Sequence, residues 1–454
     1  MFKKLYSNKY FPLVLQIVSL VVFIVILSLG IGITTDNVKF AKILRNTNLG
    51  TLVVWSYWWP LIVVTAVFLG RHWCTICPIE LITHSISFLS LKKRVPNWLK
   101  NGWGITALYA CILLIGIETL SIHRVPNGMA FYLLTLVALA VIATIIFDKR
   151  SFCSYLCPVG NLLGLYSLFS KWGIRVKDSS KCSKCKEMTC VSKDNRNKFL
   201  ERSCTSNIHP KNLDIQSRAC IMCTQCIKSC SHNNVSLQKV DRVYNSTTSS
   251  RIKGAEVGMI VLLTGFISYE ILSSWSLSNQ MLHFLPNYFI NEFGMIGKVA
   301  KLFNTLFVFV LMPVCFYAVL SSIIYFIEDK HHSIISILKR SALYILPMIA
   351  FGHVFKAMLK TTSRLPYWKY ALDKPFGIIN AQKILEGEVH LTHMSWISPL
   401  VIFLGVSGLL FAYRLSVKKI LKDLDIMSHS RLVYIIILTI YLLFILSGPI
   451  SSLF

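Results

Sequence analysis

The stretch "DKRSFCSYLCPVGN", residues 148–161, begins at the polar edge of a long apolar run and sets Cys153 and Cys157 four residues apart, directly before Pro158. An earlier stretch, "GRHWCTICPIELITH" from Gly70 to His84, does the same with Cys74, Cys77 and Pro78. An apolar segment needs no thiols to end, so their presence twice at the same kind of place points to chemistry.

The surrounding chain is apolar enough to require a bilayer. Of 454 residues, 54% are hydrophobic and only 15% charged, outside the range of ordinary soluble domains. Runs long enough to cross a hydrocarbon core, roughly 17 to 25 residues each, occur near 11–34, 50–70, 104–122, 129–147, 255–276, 303–327, 341–360, 397–413 and 431–452. The run at 341–360 is interrupted by Pro347 and carries His353 and Lys356, and that at 397–413 is short. The first run is longer than a signal-peptide core and no small-residue cleavage site follows it, so it reads as a retained anchor.

The sequence therefore predicts a mainly α, multi-pass helical membrane protein of about nine spans. The net charge of +27 supplies its orientation. Of the 47 Lys and Arg residues, 35 fall on segments that an N-inside arrangement places in the cytoplasm and ten on outer loops. This asymmetry predicts N-in and C-out. Attraction to anionic lipid accounts for the charge, and no nucleic-acid partner is expected.

Three blocks follow: a four-span membrane domain over 1–171, a polar cysteine-rich insert over 172–253 between spans four and five, and a five-span domain over 254–454. The insert closes on the linker-like "NSTTSSRIKG" and is too short of apolar residues to hold itself together without a staple. Within the first block, Cys77-Pro78 and Cys157-Pro158 stand 80 residues apart, each after the second helix of a hairpin and each before an amphipathic segment. If each helix runs through its motif, the paired thiols lie on one face and the proline marks its end.

Twelve of the 14 cysteines lie on the inferred cytoplasmic side or its membrane edge; Cys111 and Cys315, inside spans, read as small apolar filler. Cytoplasmic thiols stay reduced, so clustering there points to metal or catalysis rather than disulfides. The most specific signal is "ACIMCTQCIKSCS", Cys220-x2-Cys223-x2-Cys226-x3-Cys230. In this ferredoxin run three thiolates hold one cubane cluster and the fourth reaches a neighbour. Ser231 stands where a proline is usual, and a zinc ribbon fits the 2-2-3 spacing poorly. Upstream, Cys182, Cys185, Cys190 and Cys204 form a looser set. Ligand exchange assigns Cys182, Cys185, Cys190 and Cys230 to one [4Fe-4S] cluster and Cys204, Cys220, Cys223 and Cys226 to the other. Spacing leaves open whether Cys190 or Cys204 makes the crossover.

Cys74, Cys77, Cys153 and Cys157 could converge on a further Fe–S centre or a soft metal such as Cu(I), or serve as a dithiol relay; His84 is either an added ligand or an interfacial polar residue. On the outer side the topology gathers His123, His283, His353, His390 and His393, candidates for haem, a metal or a quinone headgroup. "WSYWWP" at 55–60 reads as an aromatic belt.

Two Cys-Pro motifs after the second and fourth spans, followed by eight cysteines from Cys182 to Cys230, resemble the polyferredoxin-type NapH, NosR and CcoG membrane proteins over roughly residues 1–240. The resemblance implies an inner-membrane protein with clusters in the cytoplasm, a quinone-pool or cytoplasmic donor, and an extracytoplasmic reductase or metalloenzyme as acceptor. The family's Cys-x3-Cys-Pro is shortened here to Cys74-x2-Cys77-Pro78, and 254–454 has no counterpart in it. Electron transfer in anaerobic respiration is thus the leading expectation. Copper reduction for the assembly of a respiratory enzyme is the alternative, and a redox-gated transporter, drawing only on 254–454, comes last.

Overall fold

A computed structural model of the chain describes residue 6 and residues 8–147, 150–213, 217–328, 331–392 and 396–451. Seven of its helices are long and apolar enough to cross a membrane: Leu49–Leu69, Pro126–Ile146, Gly254–Leu272, Gly297–Ile327, Ile334–Asp373, Ile397–Lys422 and Ser428–Pro449. The other two expected spans fold as shorter apolar helices, Leu13–Ser28 and Trp103–Ile117.

The run that carried Pro347, His353 and Lys356 forms the hub of the bundle. Eighteen residues of Ile334–Ser363 are buried, Pro347 and His353 among them, and the helix packs against Leu49–Leu69, Gly254–Leu272 and Ile397–Lys422. Pro347 is tolerated there because the carbonyl it frees, Leu343 O, accepts instead from Tyr244 Oη at 3.2 Å. Polar groups on the hub pair with its neighbours. Arg340 lies 3.5 Å from Glu328, both nearly inaccessible, and Tyr344 donates to Asp423 at 2.6 Å. The segment at 397–413 extends to a 26-residue helix.

Glycine sets one of the closest approaches. A Cβ on Gly265 would lie 2.6 Å from the Phe309 carbonyl oxygen and 2.7 Å from its Cα, so the Gly254–Leu272 helix meets the 307–311 turn backbone to backbone. That turn is π-helical, as are Val53–Trp58 and Ile112–Thr119.

Among the described residues the insert builds one antiparallel strand pair, Trp172–Val176 with Val235–Lys239, in which Ile174 opposes Leu237. Between the strands run short helices at Ser179–Lys184 and Gln225–Lys228. Ile174, Ile208, Met222 and Val235 make a small core into which cysteines project. A two-stranded ribbon is marginal alone, and the insert leans on the membrane helices instead. Its closing segment is docked, unlike a free linker: Tyr244 is fully buried, and Lys419 Nζ donates to the carbonyls of Tyr244, Asn245 and Thr247.

Gly265→Ala should therefore cost about 1–3 kcal/mol through overpacking and lower the unfolding temperature in detergent. Gly408→Ala, whose Cβ would meet Phe351 at an ordinary 3.6 Å, should be neutral; thermal melts of the two variants check this.

Candidate functional site

Neither Cys-Pro helix runs through its motif. Gly70, with φ +87°, ends the Leu49–Leu69 helix, and a short helix His72–Ile76 carries Cys74. Arg150, with φ +64°, precedes the equivalent Ser151–Tyr155, which carries Cys153. Cys77 and Cys157 are then the extended N-caps of the helices Pro78–Ser85 and Pro158–Tyr166. Proline suits the first helical position because its missing N–H would be unpaired there anyway. Cys157 Sγ accepts from Gly160 N at 3.3 Å.

The two hairpins bring these four thiols together. Burial pushes Cys77 well above the ordinary thiol value, and Cys153, Cys74 and Cys157 raise it further. Burial likewise lifts Cys153 to about 11 and Cys157 to about 12, against the opposing pull of Arg150 on the first and of Arg71 on both. Cys77, Cys153 and Cys157, so raised, would give up their protons together only to a cationic partner.

The insert holds two further sets. Cys190 is raised to about 11 by burial and then by Cys230, Cys182 and Cys185, and Cys182 by burial, Cys230 and Cys185. Cys226 is raised by burial and then by Cys204, Cys223 and Cys220, and Cys220 to about 12 by burial, Cys223 and Cys204. Left-handed backbone at Met222 and Thr224 curls the 220–226 loop. Backbone N–H groups aim at sulfur, Ile208 N at Cys204 Sγ and Asn234 N at Cys230 Sγ, both 3.4 Å, and Thr205 Oγ1 lies 3.6 Å from Cys223 Sγ.

The sets stand in sequence. Cys226 also feels Cys190, and Cys204 N donates to Cys190 O at 2.7 Å, which ties the first set to the second. Arg71 and Arg150 join the second to the hairpin thiols. Arg71 Nη2 is 3.6 Å from Cys74 Sγ, and its charge also reaches Cys153, Cys157 and Cys220. Arg150, held charged against its burial by Cys153 and Glu80, reaches Cys204 as well. Both arginines stand three residues before the first cysteine of their motif. That shared offset is the signal in the sequence that could have found them.

The insert is fixed to the helix ends by buried polar contacts. Arg202 Nη2 lies 2.9 Å from Glu80 Oε1, with both side chains almost wholly enclosed. Gln16 donates to Glu80 Oε2 at 2.5 Å and to Thr75 O at 2.8 Å. Arg71 Nη1 donates to Arg218 O at 2.6 Å, Thr75 to Ile221 O, and Arg150 to Ser206. His84, expected as a ligand or an interfacial group, is buried, and its Nε2 lies 3.2 Å from Lys198 O.

All-sulfur donor sets that accept backbone N–H bonds suit iron–sulfur clusters. Among the described residues no three His, Cys, Asp or Glu side chains converge on the position of one ion. A cubane, itself several bonds across, is held by thiolates placed around it. Of the described histidines in the outer set, His123 and His353 line one cavity, and His283 and His390 do not. His353 is enclosed with its Nδ1 3.1 Å from Tyr166 Oη, roughly 16 Å along the helix from Arg364 at a helical rise of about 1.5 Å per residue, hence well inside its helix rather than close to the end. His283 Nδ1 lies 2.9 Å from Asn304 Oδ1, His390 is exposed, and His393 lies outside the described residues. The 55–60 aromatics do not form a surface belt, since Trp58 and Trp59 line an internal cavity. Cys111 and Cys315 are exposed on the bundle surface rather than packed as filler.

The profile of a family described as a 4Fe-4S binding domain matches residues 51–96 and 129–177. These stretches contain Cys74, Cys77, Cys153 and Cys157. The chain is also similar to an uncharacterized protein of Methanocaldococcus jannaschii, 27% identical over 175 residues that make up 37% of this chain and 64% of the relative. The chain thus spans just under two thirds of that relative's length. No solved structure matches. A 4Fe-4S domain joined to seven membrane-suited helices makes this a protein fit for electron transfer by iron–sulfur centres at a bilayer.

Burial acts to raise the Glu80 carboxyl, but Arg202 and Arg150 outweigh it and hold the group below the usual carboxylate range. Its contribution to the seat is therefore complete above the unfolded carboxylate value of about 4 and is lost as pH falls through the lower folded value. Glu80→Gln should cost about 3–5 kcal/mol by stranding Arg202. Faster hydrogen exchange across 198–230 at neutral pH, matched by wild type only in acid, is the expected result.

Proposed function

We propose that the chain is an inner-membrane electron carrier in which three four-cysteine sets hold [4Fe-4S] clusters in series. Cys182, Cys185, Cys190 and Cys230 would hold the first, Cys204, Cys220, Cys223 and Cys226 the second, and Cys74, Cys77, Cys153 and Cys157 the third. The observation that carries this reading is the order of the sets, linked through Cys190 and Cys226 and then through Arg71 and Arg150. A cluster bound in each set supplies one-electron transfer.

The chain's own residues supply the setting. Arg71 and Arg150 are buried cations beside the hairpin thiols, so they offset negative charge gathered there in a poorly solvated place. Gly160 leaves room for that arrangement, since a Cβ on it would lie 3.3 Å from Arg71 Nη2. Ile208 and Asn234 N–H groups stabilise anionic sulfur in the insert. The Arg202–Glu80 pair keeps the insert from rocking on the helix ends.

In this reading the chain has nine spans, N-in and C-out, the insert faces the cytoplasm, and electrons pass between a cytoplasmic donor or the quinone pool and an extracytoplasmic reductase. The excess of basic residues on the cysteine side supports the orientation. The profile match over the two hairpins supports the third centre.

Anaerobically purified protein should carry about twelve irons, four per cubane. The variant with Cys74, Cys77, Cys153 and Cys157 changed to Ser should carry about eight. Iron and sulfide analysis decides it: about eight in both proteins would refute the third centre.

A further inference from the structure

Between the two halves of the bundle lies a cavity of about 620 Å³. One end is bounded by Pro158 and Val159, the residues after Cys157. The other end, where the Leu49–Leu69 and Pro126–Ile146 helices begin and the hub helix finishes, holds Arg45, Arg124, Lys360 and Arg364. The face opposite the cysteines is poor in cations, yet these four, from three segments, meet at one cavity.

Their charges are not balanced. The carboxylate lining the cavity, Glu270, is engaged by Lys356, with Oε2 3.6 Å from Nζ, and its single charge is shared with Lys360. Among the described residues no ion pair joins Arg45, Arg124, Lys360 or Arg364 to a carboxylate. Burial together with the charges of Arg364 and Arg124 draws the Arg45 guanidinium down to about 10. Half-buried like charges of this kind destabilise one another and call for an anion.

Unused donors line the same space. Tyr109 is 4% exposed, and its hydroxyl has no hydrogen-bond partner among the described residues; His123 Nδ1 and Arg364 Nε likewise have none. Arg124 Nε donates to His123 Nε2 at 3.2 Å, which fixes Nδ1 as the protonated nitrogen. The remaining wall is apolar and aromatic: Trp58, Trp59, Leu113, Tyr132 and Phe266. Two π-helical turns, Val53–Trp58 and Ile112–Thr119, bulge at this wall, a distortion that recurs where helices make room for ligands. A bare oxyanion would leave most of this volume empty, whereas drug-sized molecules occupy cavities of about 300–1,000 Å³.

We infer that the cavity binds an anionic amphiphile, its phosphate or carboxylate held by Arg45, Arg124, Lys360 and Arg364 with Tyr109 and His123 donating, and its apolar body lying along Trp58, Trp59 and Tyr132. An uncharged quinone would accept hydrogen bonds here but leave the four positive charges without a counter-charge, which is why an anionic headgroup suits the site better. Its occupancy does not depend on what the cysteines hold.

The test uses full-length protein in nanodiscs, with tryptophan fluorescence reporting binding at Trp58 and Trp59. Phosphatidylglycerol is titrated into discs of phosphatidylcholine, and oleate is titrated separately. A saturable change with phosphatidylglycerol, weakened at least tenfold in Arg124→Gln/Arg364→Gln and restored towards wild type in Arg124→Lys/Arg364→Lys, assigns the site to an acidic lipid headgroup. The same pattern with oleate alone assigns it to a free lipophilic acid. No saturable change with either probe, or equal binding by the neutralised variant, overturns the inference. Tyr109→Phe should weaken binding several-fold without loss of charge. Iron content, measured on the same samples and unchanged throughout, separates failure here from failure of the iron–sulfur reading.

Discussion

The buried pair between Arg202 and Glu80 joins a small cysteine-rich domain to the ends of membrane helices, and the remaining architecture depends on that seat. Among its described residues the insert has one two-stranded ribbon and a modest core, too little to hold its loops in place unaided. Glu80 belongs to the helix that Cys77 caps, and Gln16 from the first helix braces the same carboxylate. One enclosed ion pair therefore couples the insert to both a hairpin and the leading helix. Breaking either partner would leave a charge without water or counterion, which makes the seat an all-or-none feature.

With the seat in place, the chain presents a graded path. Thiols of the insert adjoin each other, Arg71 and Arg150 bridge them to the hairpin thiols, and the helix after Cys157 borders the aromatic cavity. Tyr166, on that same helix, reaches His353 on the hub. Pro347 and His353, which look like defects in an apolar run, are thus internal contacts of a largely enclosed helix. Their burial is what makes a 30-residue segment with a central proline viable.

Much of this was legible in the sequence, and the exceptions have physical causes. Apolar length alone marks the long helices, but 11–34 and 104–122 yield shorter ones, the second breaking into a π-helical turn at Ile112. Run length cannot say which helix is central, so 341–360 reads as flawed where it is enclosed. "WSYWWP" reads as a belt because composition does not distinguish a lipid-facing ring from a cavity-facing one. The left-handed residues Gly70 and Arg150 interrupt both Cys-Pro helices, and a non-glycine residue at such a turn gives little warning. Spacing left the roles of Cys190 and Cys204 open, because the path of the intervening chain is set by tertiary contacts such as Arg202 with Glu80 and Cys204 N with Cys190 O.

The most direct test of the serial arrangement is EPR spectroscopy of the full-length protein, reduced stepwise without oxygen. The account predicts three one-electron centres with magnetic coupling between neighbours, and selective loss of the third in Cys74→Ser/Cys157→Ser with the coupled pair of the insert retained. Two magnetically isolated centres, both indifferent to that change, would contradict it.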